Sequence, residues 1–109
     1  MEYQFSLAHL TTLGFTPPEM TYVAARAGYD FVSLRLIPMG VTGEADCRPV
    51  DREMIRKTKA ALDETGIKLL DIELARILAD KDPKTYLPAM EDSAELGSRH
   101  VISISCLLY

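Results

Sequence analysis

Three passages of this chain repeat one plan: "ARAGYDFVSL" at 25–34, "DETGIKLLDI" at 63–72 and "AELGSRHVIS" at 94–103. Each reads as the end of a helix, a glycine, a short turn and a run rich in β-formers. Gly28, Gly66 and Gly97 stand where a helix C-terminus takes a left-handed residue, a conformation open to glycine because it has no Cβ. Successive glycines lie 38 and 31 residues apart, close to the roughly 30 residues of one strand plus its crossover. Strands that alternate with helices form a parallel sheet joined by right-handed crossovers.

The helix starts agree with this plan. In "TPPE" at 16–19, Thr16 is placed as N-cap, Pro17 in the first turn and Glu19 as the reciprocal partner of a capping box. Asp51 opens "VDREMIRKTKAALDETG", with Met54, Ile55, Thr58, Ala61 and Leu62 on one side. Asp82 opens "KDPKTYLPAMEDSAELG", in which Pro88 falls inside the expected helix and removes a hydrogen bond. The expected elements are strand 3–10, helix 17–27, strand 30–37, helix 51–65, strand 68–75, helix 83–96 and strand 100–106.

Alternation along the strands selects the architecture. Val32, Leu34 and Leu36 share one face, and Ser33 and Arg35 the other; Leu70, Ile72 and Leu74 oppose Asp71 and Glu73; Ile102 and Ile104 oppose Ser103 and Ser105. A doubly wound sheet is covered by helices on both faces and asks for apolar residues on both. A (β/α)8 barrel is covered outside only, and its inner face near the strand C-termini carries the active site. The pattern therefore predicts an α/β chain of TIM-barrel type: a half-barrel of four parallel strands with three crossover helices. In β-strand 3–10 the same logic points Gln4, Ser6 and Ala8 inward, which turns His9 outward unless the strand end bulges. Four strands do not close a barrel, so residues 1–109 read as an N-terminal half, truncated after the fourth strand, or as a half that associates with a copy of itself.

Composition narrows the partners. The net charge of −4 with no basic cluster argues against nucleic acid. No apolar run approaches the roughly 20 residues of a membrane span, and the N-terminus lacks the pattern of a secretory signal. Cys47 and Cys106 form no C-x-x-C pattern and read as free thiols; a cytoplasmic location is the resulting expectation. No P-loop, GxGxxG, HExxH or serine-nucleophile motif occurs.

The segments "FSLAHLTTLGFTPPEMTYVAARAGYDFVSLRLIP", "DREMIRKTKAALDETGIKLLDIELARIL" and "DSAELGSRHVIS" together resemble the N-terminal half of the xylose-isomerase-like TIM-barrel proteins, the sugar phosphate isomerases and epimerases. The resemblance implies a sugar or sugar phosphate as ligand and proton transfer next to a carbonyl. It also implies a divalent metal, Mn²⁺, Mg²⁺ or Co²⁺, held by Glu, Asp, His and Glu of later strands, which have no counterpart among these residues. The isolated chain is accordingly expected to be inactive. Related barrels include inosose dehydratases and apurinic endonucleases, so dehydration, strand cleavage or an inactive self-associating fragment are the alternatives.

Four residues are candidates for substrate contact. His9 ends the first strand, where a member of this family can use it on substrate. Arg35, near the C-terminal end of the second strand, can bind a substrate oxygen or neutralise Glu73. Glu73 is the strongest candidate, because an inward mid-strand carboxylate is costly without a purpose. Arg76 is a further ion-pair or ligand partner. Asp71 lies deeper and His100 lies at the opposite end of the barrel; both read as structural. The 13-residue connection 38–50 is expected to lie over the site as a substrate loop.

Overall fold

In a computed structural model, residues 2–37, 42–43 and 51–105 are described. They form a four-stranded, all-parallel sheet in the order β1-β2-β3-β4, with β1 at Ser6–Ala8, β2 at Phe31–Arg35, β3 at Lys68–Ile77 and β4 at Val101–Ser105. Three helices connect them: α1 at Pro17–Ala27, α2 at Arg52–Thr65 and α3 at Leu87–Glu95. This is the half-barrel-like α/β architecture expected from the repeats.

Local signals account for the helix limits. The Glu19 carboxylate accepts hydrogen bonds from the Thr16 N–H (3.1 Å) and the Thr16 hydroxyl (2.7 Å), and this holds the Glu19 carboxyl below its usual range. The Asp51 side chain accepts from the Met54 N–H at 3.1 Å, the N-cap geometry that satisfies one free donor of α2. Gly66 ends α2 at φ 76° and returns its N–H to the Leu62 carbonyl. The helices also pin each other: the Tyr22 hydroxyl donates to Glu64 at 2.7 Å, and Arg52 reaches Glu95 at 2.8 Å and the buried Asp92 at 3.3 Å.

Beneath the helices lies one core. Met20 and Ala24 of α1, and Ile55 and Leu62 of α2, pack with Val32, Leu34, Leu69 and Ile72 of the sheet and with Leu36 just past β2. Burial of such side chains is worth about 1.5–3 kcal/mol each, which is why this face sets the register of β2 and β3.

Several expectations change. The first strand is short: at His9 the chain leaves it for a 3-10 turn, His9–Thr12. The segment expected as one helix over 83–96 divides into a 3-10 turn, Pro83–Tyr86, and α3. Pro88 thereby falls in the first turn of α3, where its missing N–H is harmless. β3 runs two residues beyond its expected end and carries two irregularities. Val32 pairs with Leu69 but Ser33 with Asp71, so Leu70 is an extra residue and stands outside the helix-packed row. A second shift falls between Ile72 and Ala75.

These shifts also overturn the expected facing of β4. Val101 pairs with the buried Ile72 and Ser103 with the buried Ala75, and Val101 and Ser103 line a groove against Tyr86 and Met90 on the helix side. Ile102 and Ile104 therefore belong to the inner face, where both are exposed. Cys47, Cys106, and the connection 38–50 except Thr42 and Gly43 lie outside the described residues. No helix among the described residues is long and apolar enough to cross a membrane.

Candidate functional site

The inner face gathers polar groups by strand parity. Leu7 of β1 packs with the core, which leaves Ser6 and Ala8 inward. Ser6 and Ser33 meet there, hydroxyl to hydroxyl, at 3.1 Å. Arg35 pairs with Glu73 and Ser33 with Asp71 across the β2–β3 ladder. Four adjoining side chains, Ser33, Arg35, Asp71 and Glu73, thus form the centre of the face.

Arg35 and Glu73 are each 8% exposed. The Arg35 Nε stands 4.0 Å from Glu73 Oε1, near enough for attraction and too far for a hydrogen bond. Burial pushes the Glu73 carboxyl above its usual range. Arg35 pulls against this, Asp71 adds to it, and the Leu10 N–H, which donates to the carboxylate, pulls it back in part. Among the described residues, Glu73 Oε1 and Asp71 Oδ1 are both buried with no hydrogen-bond partner. An unmet buried acceptor costs about 1–3 kcal/mol, so this face keeps acceptor capacity that the fold itself does not fill. The Glu73–Leu74 peptide bond is cis.

His9 is buried at the rim, and both ring nitrogens are engaged. The Arg35 N–H donates to Nδ1 at 2.9 Å, and Nε2 lies 2.6 Å from the Phe15 carbonyl. Because Nδ1 accepts and a carbonyl cannot donate, this network fixes the neutral tautomer with the proton on Nε2. The ring folds back toward β2 because the chain turns at residue 9 instead of continuing the strand. His9 thus braces the backbone at Arg35 and ties it to the turn ending at Phe15.

Arg76 shares the inner face through its pairing with Ile104, beyond the second irregularity of β3. It is half-buried, its carbonyl accepts from the Tyr86 hydroxyl at 2.8 Å, and no ion pair joins it to Glu73 among the described residues. His100 is exposed before β4, at the end of the sheet away from Glu73. The structure therefore brings Arg35 and Glu73 together, places His9 behind Arg35 and sets Arg76 apart. Ser6 and Ser33 were not singled out by sequence. Their shared parity with Arg35 and Glu73 was the available signal, but serine is too common in strands for parity alone to mark it. Asp71 joins the cluster through its unmet oxygen.

Among the described residues no group of three or more His, Cys, Asp or Glu side chains converges so as to hold a metal ion. Two carboxylates beside a guanidinium do not make a divalent-cation cage. What the cluster can do is accept hydrogen bonds from hydroxyl groups, offer a cationic edge to a carbonyl oxygen or anion, and exchange a proton at Glu73. The chain matches no protein-family model and no curated protein.

Proposed function

We propose that this inner face binds a sugar or sugar phosphate and belongs to a barrel that isomerises or epimerises it. The observation that carries the reading is Glu73: a buried carboxylate in the middle of β3, level with the last residue of β2, with raised proton affinity, an unmet acceptor oxygen and Arg35 at 4.0 Å. A carboxylate with raised pKa exchanges protons more readily near neutral pH, as a step next to a carbonyl requires. Arg35 orients an electron-rich oxygen of the ligand, and the serine pair and Asp71 suit its hydroxyls. The sequence resemblance supports the same ligand class. The described residues do not fit the metal that this resemblance implies, so no step here depends on one.

Titration of the chain with ketohexoses and their phosphates, followed by backbone amide shifts, tests the reading. Saturable shifts at Ser33, Arg35 and Glu73 are expected, with binding weakened at least about tenfold in Glu73→Gln, equivalent to roughly 1.4 kcal/mol. No saturable shift with any of these compounds, or equal binding by Glu73→Gln, rejects it. Turnover by the chain alone is expected to be absent.

A further inference from the structure

The sheet has two free edges among the described residues, β1 and β4, each offering unpaired backbone groups. Register across the sheet says what can join them. Val101, first residue of β4, is level with Ile72, and Ile72 is level with Leu34. Leu34 lies three residues up β2 from Phe31, and Phe31 is level with Ser6, first residue of β1. β4 thus begins three residues higher than β1 across three strand junctions, a mean of one per junction, with the offset taken up at the β3–β4 junction. An eight-stranded parallel barrel closes with a shear of about eight, again about one per junction.

We propose that two copies of this chain close into one eight-stranded barrel, β4 of each copy pairing with β1 of the other about a two-fold axis along the barrel. Closure sets the register at the new junctions. Within one copy Val101 is level with position 9; half the barrel's shear, about four residues, brings it level with Phe5 of the second copy. Parity is kept, which an odd shift would have destroyed. Phe5 and Leu7 of the second copy fall beside Val101 and Ser103 on the helix side, and Ser6 and Ala8 fall beside Ile102 and Ile104 in the lumen.

The two edges are complementary in surface. At the β1 edge Tyr3 is 73% and Phe5 61% exposed. Beside β4 lie two apolar grooves, of about 340 and 200 Å³, with Met90 and Val101 in the walls of both. The Phe5 ring of the second copy arrives at Val101, between them. The same register sets the exposed Tyr3 of one copy level with the exposed Arg99 of the other, an aromatic ring at one edge facing a guanidinium at its counterpart. Ile102 and Ile104, exposed in one copy, become enclosed. Two Arg35–Glu73 clusters then face one lumen, so each site is completed by the second copy. The inference rests on register and surface, and stands whether or not a sugar is bound.

Light scattering after size-exclusion chromatography, with native mass spectrometry of the 109-residue chain in reducing buffer, tests it directly. Twice the chain mass at micromolar concentration is expected. A monomer, or a series growing beyond two copies, overturns the proposal. Phe5→Asp and Val101→Lys are each expected to weaken the dimer at least about tenfold while keeping the far-ultraviolet circular dichroism of the parent. Mixed together, the two variants are expected to pair, because one junction is then unaltered and the other sets Asp against Lys. A dimer unaffected by Phe5→Asp, or variants that stay apart on mixing with their dichroism intact, overturns the assigned register. The mass of the parent chain decides the closure even if a variant fails to fold.

Discussion

The two faces of one sheet differ in how far the fold has satisfied them. On the helix side, Leu34 and Ile72 are fully buried among apolar neighbours from α1 and α2. One residue along each strand, on the inner side, Arg35 and Glu73 are almost as buried but stand 4.0 Å apart, with an acceptor oxygen left over. Equal burial therefore has opposite meanings on the two faces. Apolar burial stabilises, whereas burial of a carboxylate oxygen with no donor costs stability and is retained where it serves binding or chemistry. The helix side is the scaffold and the inner side carries the candidate site.

Substitutions on the two faces put this contrast at risk. The largest effect is expected from Ile72→Asp, which buries an unpaired charge beneath the helices. Loss of the cooperative melt is the expected result, and a variant that melts like the parent would mean that the helix side is not the core. Leu34→Ala should follow, with a loss of about 2–5 kcal/mol in urea titration at fixed protein concentration. Its sequence neighbour Ser33 points the other way, so Ser33→Ala, which removes one hydroxyl from the pair with Ser6, should cost only about 0.5–1.5 kcal/mol. Comparable losses for the two alanine variants would erase the distinction between faces.

Glu73→Gln sharpens it through pH. The folded-state pKa of Glu73 is raised, so the folded chain holds this proton more tightly than the unfolded one. Its contribution to stability is fully present below the unfolded pKa, near pH 4, and is lost as pH rises through the folded value. The Gln variant lacks this dependence and keeps an acceptor for the Leu10 N–H. It should therefore melt at or above the parent temperature at pH 7 and lose that advantage at pH 4. An advantage that grows on acidification would show that the fold favours the ionised carboxylate over the protonated one.

The order of elements, the helix caps and the glycine stops were determined by sequence alone, because each depends on groups a few residues apart. Thr16 with Glu19, Asp51 with Met54, and Gly66 with Leu62 are contacts of this kind. The inward carboxylate at Glu73 was also legible, since alternation in β2 and in the middle of β3 is undisturbed. Tertiary structure decided the rest. An extra residue in β3 displaced Leu70 from the helix-packed row, and the second shift carried Ser103 to the helix side and Ile102 and Ile104 inward. A two-residue period has no memory of a bulge: one inserted residue puts the alternation before it out of phase with the alternation after it, and its placement depends on how distant side chains pack. His9 followed the same rule, with its role set by where the chain stopped pairing with β2 and turned its ring toward the Arg35 N–H.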